Sequence, residues 1–287
     1  MTEILVITVT YNGAKWIEKC IESVKASSTG AHMLVVDNAS TDGTADFVKE
    51  KYPEVFLIEN QENKGFAEAN NQGFRFALEK NYRCVYLLNQ DAWVFPETFS
   101  ALLRVMDASG GKIGIASPMQ MDAGMSRMDS QFKKHCAGLL SKDPGESVKV
   151  PFVMAAHWMV TRTCLERVGG FSPSFPHYGE DNDYIHRAEY HGFDTVVVKT
   201  ASAVHDRSAR KRPKSYRMDL KVINAKVAVA DPRRSPFWSK RGQTLKLFFM
   251  GCLHFSTIPW KGIKSLKADY PSLKATRKTA RAGAAFL

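Results

Sequence analysis

Two rhythms of apolar and polar residues alternate along the first two hundred positions. Runs dense in β-branched and apolar residues, Ile4 to Thr10, Met33 to Asp37, Val55 to Glu59, Val85 to Asn89 and Ile113 to Ser117, read as strands. Between them the spacing changes to three and four, with Ile17, Cys20, Ile21 and Val24 on one side of a helix and Phe66, Asn70, Phe74 and Leu78 on another. Strands without a polar face, separated by helices, predict an α/β domain with a mostly parallel, Rossmann-like central sheet and flanking helices. Ligands of such sheets bind beyond the carboxyl ends of the strands. Those ends here carry Thr10-Tyr11-Asn12-Gly13, Asp37-Asn38-Ala39-Ser40 and Asn89-Gln90-Asp91.

Residues 119–150 are polar and without a clear period, which predicts a mobile excursion over the site. An apolar strand from Val150 to Val160 follows, then a short helix ending at Val168-Gly169-Gly170 and a loop to Tyr178. A helix from Glu180 to His191 opens with Glu180, Asp181 and Asp183, where the macrodipole favours negative charge. Thr195 to Val198 is the next strand, and Val204-His205-Asp206 comes shortly after it.

The net charge of +11 divides unevenly, with −5 over residues 1–205 and +16 over residues 206–287. The basic tail therefore asks for a polyanionic neighbour, a phospholipid surface or a nucleic acid. Its most apolar stretch, Leu245 to Phe255, is too short and interrupted to span a bilayer. Basic residues on both sides fit it to lie among lipid headgroups; packing on the main domain or on a subunit is the other reading. Five cysteines, odd in number and without a CxxC pair, indicate neither a disulfide framework nor a zinc cluster and suit a reducing compartment. The N-terminus lacks the basic leader and long apolar core of a secretory signal.

Polar strand ends of this kind can offer a nucleotide pocket, a counter-charge for phosphates and a general base. Asp37 and Asn38, with Thr10 and Tyr11 on the neighbouring strand end, are candidates for the nucleotide. Asp91, with His205 as second ligand, is a candidate for a divalent ion, and Lys64 for a positive charge beside the phosphates. Singly, each has a bland alternative: a turn and helix cap around Asp37, a structural imidazole at His205, a solvated loop lysine, and a cap at Asp181.

Together the motifs resemble family-2 glycosyltransferases, above all their rhamnosyltransferase-like branch. The likeness rests on Val9 to Gly13, Val35 to Thr44, Asn63 to Gly73, Leu87-Leu88-Asn89-Gln90-Asp91, which is similar to a variant DxD motif, and Val168 to Phe171 leading to Tyr178 to Asp183. The match runs from about residue 4 to 206, with five motifs in order and at matching spacing. It implies a GT-A domain over residues 1–206, its nucleotide-binding half at 1–118 and its acceptor-binding half at 150–206, followed by a basic, mainly helical appendage at 207–287. The resemblance also implies an inverting, single-displacement enzyme with Asp181 as base and Mg or Mn held by Asp91 and His205. Thr10, Tyr11, Asn12, Asp37, Asn38, Lys64, Asn70, Asn89 and Gln90 fall on its nucleotide-sugar side. Glu180 falls on the acceptor side, joined by His157 and Trp158, which stand where the family commonly has a small, Gly-containing stretch; they either line the acceptor pocket or pack. Asn89 departs from a full DxD by offering an amide where the first Asp stands.

The expected partners are a dTDP- or UDP-sugar, a glycan or lipid-linked acceptor of bacterial cell-surface polysaccharide synthesis, and an anionic membrane surface on the cytoplasmic side. Two rivals are a sugar-nucleotide nucleotidyltransferase and a non-catalytic polyanion binder. The first lacks its Gly-rich basic loop after Thr10, and the second shows no nucleic-acid module.

Overall fold

The computed structural model describes residues 3–208, 213–254 and 256–287. The first half runs β1 (Ile4–Thr10), α1 (Ile17–Lys25), β2 (Ala31–Asp37), α2 (Thr44–Lys51), β3 (Phe56–Glu59), α3 (Gly65–Glu79) and β4 (Cys84–Leu88). All the pairings among its four strands are parallel, and Thr10 sits in register with Asp37. Next come β5 (Ala92–Val94), α4 (Thr98–Ala108), β6 (Ile113–Met121), α5 (Ser130–Leu140), β7 (Ser147–Lys149), β8 (His157–Thr161), α6 (Arg162–Val168), α7 (Glu180–Tyr190) and β9 (Asp194–His205). The strands join one sheet in the order β3-β2-β1-β4-β8-β6-β9-β5, with β7 beside β9. β8 enters antiparallel to both β4 and β6, so the second half of the sheet is joined to the parallel half through one reversed strand.

Strands apolar on both faces need helices on both faces, and two cores result. Leu5, Ile7, Leu34, Val36, Val85 and Leu87 face α3, α6 and α7, whereas Ile4, Val6, Met33, Val35, Cys84 and Tyr86 face α1, α2 and α4. The predicted helical faces are the buried ones: Ile17, Cys20, Ile21 and Val24 of α1, and Asn70 and Phe74 of α3. α3 lies so close to β1 that a Cβ at Gly73 would stand 2.6 Å from Ile7 Cγ2.

Residues 119–150 correct the sequence expectation of a mobile excursion. β6 continues to Met121, and α5 starts at a true cap, with the Asp129 carboxylate accepting from the Gln131 and Phe132 amides. Phe132, Cys136 and Leu140, spaced by four, are its buried stripe, a helical period hidden among polar neighbours. The expected strand from Val150 shrinks to β8, and the last strand lengthens to twelve residues. α2 and β5 are short, whereas α4 carries a helical stripe of Phe99, Leu102, Val105 and Met106 that the sequence expectation lacked.

The C-terminal helices α8 (Tyr216–Ala230), α9 (Pro236–His254) and α10 (Thr257–Ala282) pack on one another and on the α7 side of the sheet domain. Phe175, just before α7, joins Val227, Val229, Leu266 and Leu273 in their shared core. His191 donates to the Ala280 carbonyl at 2.8 Å, and the Gly170 amide donates to Ala285 O at 2.8 Å. Gly169 has φ +88, and a Cβ there would lie 1.8 Å from Ala285 O.

One buried guanidinium fixes this junction. Arg187 donates from Nε to Asp183 Oδ2 at 2.8 Å, from Nη1 to Val168 O and from Nη2 to Gly170 O. Burial raises the Asp183 carboxyl and the Arg187 charge partly offsets it. Replacing Arg187 with Leu leaves a carboxylate and two carbonyls unpaired, so we expect a loss of about 3–5 kcal/mol in denaturant titration. A loss below about 1 kcal/mol would contradict this anchoring role.

Candidate active site

The carboxyl ends of β1, β2 and β4 and the N-terminus of α3 surround a cavity of about 600 Å³. Its wall includes Tyr11, Trp16, Asn38, Asn63, Phe66, Asn89, Gln90, Asp91 and His177. Exposed aromatic surface at Tyr11 and amides on several sides suit the face and edges of a nucleobase, while the start of α3 offers backbone N–H groups to an anion.

The loops around it are tied to one another. Asp37 is buried, accepting from Thr10 Oγ1 at 2.7 Å, Ser40 N at 2.8 Å and Ser40 Oγ at 2.6 Å. Asn12, at φ 50, donates its amide to Ser40 Oγ and accepts from Thr41 N, so the loops after β1 and β2 move as one. Gln90 pairs with the Tyr11 backbone in both directions, through Tyr11 N to Oε1 at 2.8 Å and Nε2 to Tyr11 O at 3.3 Å. Asn38 donates to Gly65 O and accepts from Asn60, which aligns the start of α3.

The expected nucleotide residues thus divide. Tyr11, Asn38, Asn89 and Gln90 reach the cavity wall, whereas Thr10, Asn12 and Asp37 shape the loops from beneath. Two expectations change. Lys64 is exposed and outside the wall, with its backbone amide 3.4 Å from Asn38 Oδ1, because it caps α3 rather than facing inward. Asn70 is turned into α3, where its Nδ2 donates to Phe66 O at 2.8 Å.

Asp91 and His205 come together. Antiparallel pairing of β5 with β9 brings His205 opposite Ala92, and His205 Nε2 lies 3.3 Å from Asp91 Oδ1. Asp91 belongs to the first cavity and His205 to a second, of about 680 Å³, bordered also by Asp122, Arg127, Asp129, Lys133, Asp206 and Arg207. A carboxylate oxygen beside an imidazole nitrogen fits Mg or Mn; no cluster of three metal-ligating side chains occurs among the described residues.

His157 and Trp158 are corrections. Both are fully buried: Trp158 packs against Phe171 and Tyr184, and His157 spans from Tyr86 OH to the Val204 carbonyl at 3.0 Å each. The carbonyl requires His157 Nε2 to be the donor, leaving Nδ1 to accept from Tyr86. Burial, aided by neighbouring His205, holds the imidazole down at about 3, so it is a neutral strut under the strand end that carries His205. Neither side chain reaches an acceptor.

Asp181 occupies the first turn of α7, its Oδ1 accepting from Asn182 N at 2.8 Å. Burial raises its carboxyl, opposed by that amide and by nearby Arg207. Glu180 is raised as well, by burial and then by Asp181, and its Oε2 has no hydrogen-bond partner among the described residues. Asp181, Glu180 and Asp37 line neither cavity; Arg207, which acts electrostatically on Asp181, lines the second, and Asn38, next to Asp37, lines the first. Trp16, which donates to Asp206 at 3.4 Å while lining the first cavity, and Arg207, which pairs with Asp129 at 3.0 Å, belonged to no motif and were not anticipated.

Residues 5–142 match the family described as glycosyl transferase family 2. The chain is 26% identical over 242 residues to N-acetylglucosaminyl-diphospho-decaprenol L-rhamnosyltransferase of Mycobacterium tuberculosis, covering 72% of this chain and 78% of the relative. It is 26% identical over 213 residues to the dTDP-rhamnosyl transferase RfbF of Shigella flexneri, covering 71% and 69%. In fold it is similar to the mannosyltransferase PcManGT from Pyrobaculum calidifontis in complex with GDP-Man and Mn2+, with a TM-score of 0.59 and 19% identity, over 98% of this chain and 86% of the other.

The raised Glu180 carboxyl has a consequence for stability. A folded-state pKa above the unfolded one means that folding is favoured when Glu180 holds a proton, and stability falls as pH rises from the unfolded value toward the folded one. Glu180→Gln, which supplies a neutral side chain of the same shape, should therefore raise Tm at neutral pH and flatten its decline between pH ~5 and ~8. A lower Tm at neutral pH would count against the assignment.

Proposed function

We propose that this chain, which belongs to the family-2 glycosyltransferases, carries out inverting transfer of a sugar from a nucleotide-diphospho-sugar to a glycan or lipid-linked acceptor in surface polysaccharide synthesis. The rhamnosyltransferase relatives favour dTDP-rhamnose as donor, with UDP-sugars as the alternative. One arrangement carries the reading: Asp91 of the first cavity and His205 of the second lie 3.3 Å apart, and the Asp181 carboxyl, which burial raises, is lowered by Arg207 in the second lining.

In this reading the nucleotide occupies the first cavity, its base against Tyr11 and its diphosphate directed toward Asp91. The acceptor enters from the second. Asp181 takes the acceptor proton as that oxygen attacks the anomeric carbon in line; the bond to the diphosphate breaks, and its electron pair leaves with the nucleoside diphosphate. Asp91 and His205 would hold a divalent ion, which would supply positive charge to the leaving diphosphate. Asn89 adds a neutral amide there, so the protein contributes less charge to the ion than a two-carboxylate motif. The elevated proton affinity of Asp181 makes it a stronger base than an ordinary carboxylate, at the cost of activity in acid.

Asp181→Asn should lower transfer by about 10²–10⁴-fold with the donor's thermal shift preserved; wild-type turnover would exclude it as base. The wild-type kcat/KM profile should lose activity on its acid side above the ordinary carboxylate range of about 4. Excess chelator should suppress transfer and added manganese should restore it, and full activity in chelator would remove Asp91 and His205 from metal binding.

A further inference from the structure

α9 is apolar on two opposite faces. Leu247, Met250 and Gly251 are buried against the other C-terminal helices. The opposite face exposes Phe237, Trp238, Leu245, Phe248, Phe249 and Leu253, the last at 74%, and Trp260 from the start of α10 extends it by ring contact with Phe248. Among the described residues, most exposed large apolar side chains are gathered here. Burying one face satisfies a helix in water; a second apolar face needs another partner.

The surrounding charge identifies that partner. Residues 232–268 contain eight Lys or Arg and no Asp or Glu, and Arg241, Lys246, Lys261, Lys264 and Lys267 are exposed. A second copy would set one unrelieved cationic face against another. Indole and phenyl rings beside lysines are instead the composition of a helix lying in a headgroup layer, and no helix among the described residues is long and apolar enough to cross a membrane.

We propose that the outer face of α9, with the first turn of α10, docks on an anionic lipid bilayer. This goes beyond the transfer reaction and does not rest on it. The docked unit is firmly joined to the acceptor side: Phe175, six residues before Asp181, lies in the core shared by α8 and α10, and Asp231 at the end of α8 accepts from Arg233 and lies 3.6 Å from His186 of α7. Docking thus holds the α7 N-terminus at a fixed orientation to the lipid surface.

Co-sedimentation with vesicles tests this. The intact chain should pellet with phosphatidylcholine vesicles containing phosphatidylglycerol, and binding should fall about tenfold or more with phosphatidylcholine alone or at high salt. Phe249→Ser with Leu253→Ser should lose about tenfold or more of that binding with an unchanged melting curve. Lys261→Glu with Lys264→Glu should abolish the preference for anionic lipid. In all variants dTDP should give the wild-type thermal shift, which separates failure of docking from failure of the donor assignment. The proposal is overturned if the wild type stays in the supernatant with anionic vesicles, if the serine variant sediments like wild type, or if light scattering shows a dimer that Leu253→Ser dissociates.

Discussion

A carboxylate taken out of water must find a cation or keep its proton, and the start of α7 places three carboxylates under that constraint within four residues. Asp183 finds Arg187, whose guanidinium is spent on the Val168 and Gly170 carbonyls as well, so the pair becomes the fixed joint between α6, α7 and the C-terminal segment. Glu180 has no ion pair among the described residues, and burial raises its carboxyl. Asp181 lies between the two cases, desolvated but steadied by the Asn182 amide and by Arg207. The reactive character of this turn depends on the neighbouring joint being rigid, because a loosened α7 would admit water and relax the proton affinities together.

The first cavity is organised by neutral hydrogen bonds. Asp37, Thr10, Ser40 and Asn12 interlock the loops after β1 and β2, Gln90 clasps the Tyr11 backbone, and Asn38 sets the start of α3. The amides left facing the cavity bind through directed donors and acceptors without a fixed charge. Formal charge on that wall is carried by Asp91, paired with His205, and Lys64 stays outside it.

Both halves rely on elements distant in sequence. His205 reaches Asp91 because β5 folds back along β9, and the strand end bearing it is braced by a neutral His157 that spans β4 and β9. The C-terminal helices add a second constraint, sharing a core with Phe175 and closing over Gly169 with Ala285. Their basic composition therefore belongs to a body packed on the α7 side of the sheet domain, not to a loose tail.

The local record in the sequence was sufficient for the parallel half. There, apolar runs, helical spacing and polar strand ends follow directly from burial on both faces of a sheet, and the family motifs sit on those ends because catalytic loops are short and contiguous. The glycosyltransferase family and the residues Tyr11, Asn38, Asn89, Gln90 and Asp91 around one cavity were legible for that reason. The α5 stripe was present as Phe132, Cys136 and Leu140 but was masked by lysines and glycines, whose polarity reports solvent on the other faces. Tertiary structure alone decided the rest. Trp158 and His157 looked like acceptor contacts until the antiparallel entry of β8 buried them; Lys64 looked like a phosphate ligand until the turn into α3 sent it outward. The proton affinities of Glu180 and Asp181 depend on which surfaces exclude water from them, and that exclusion is made by helices whose contacts no residue spacing records.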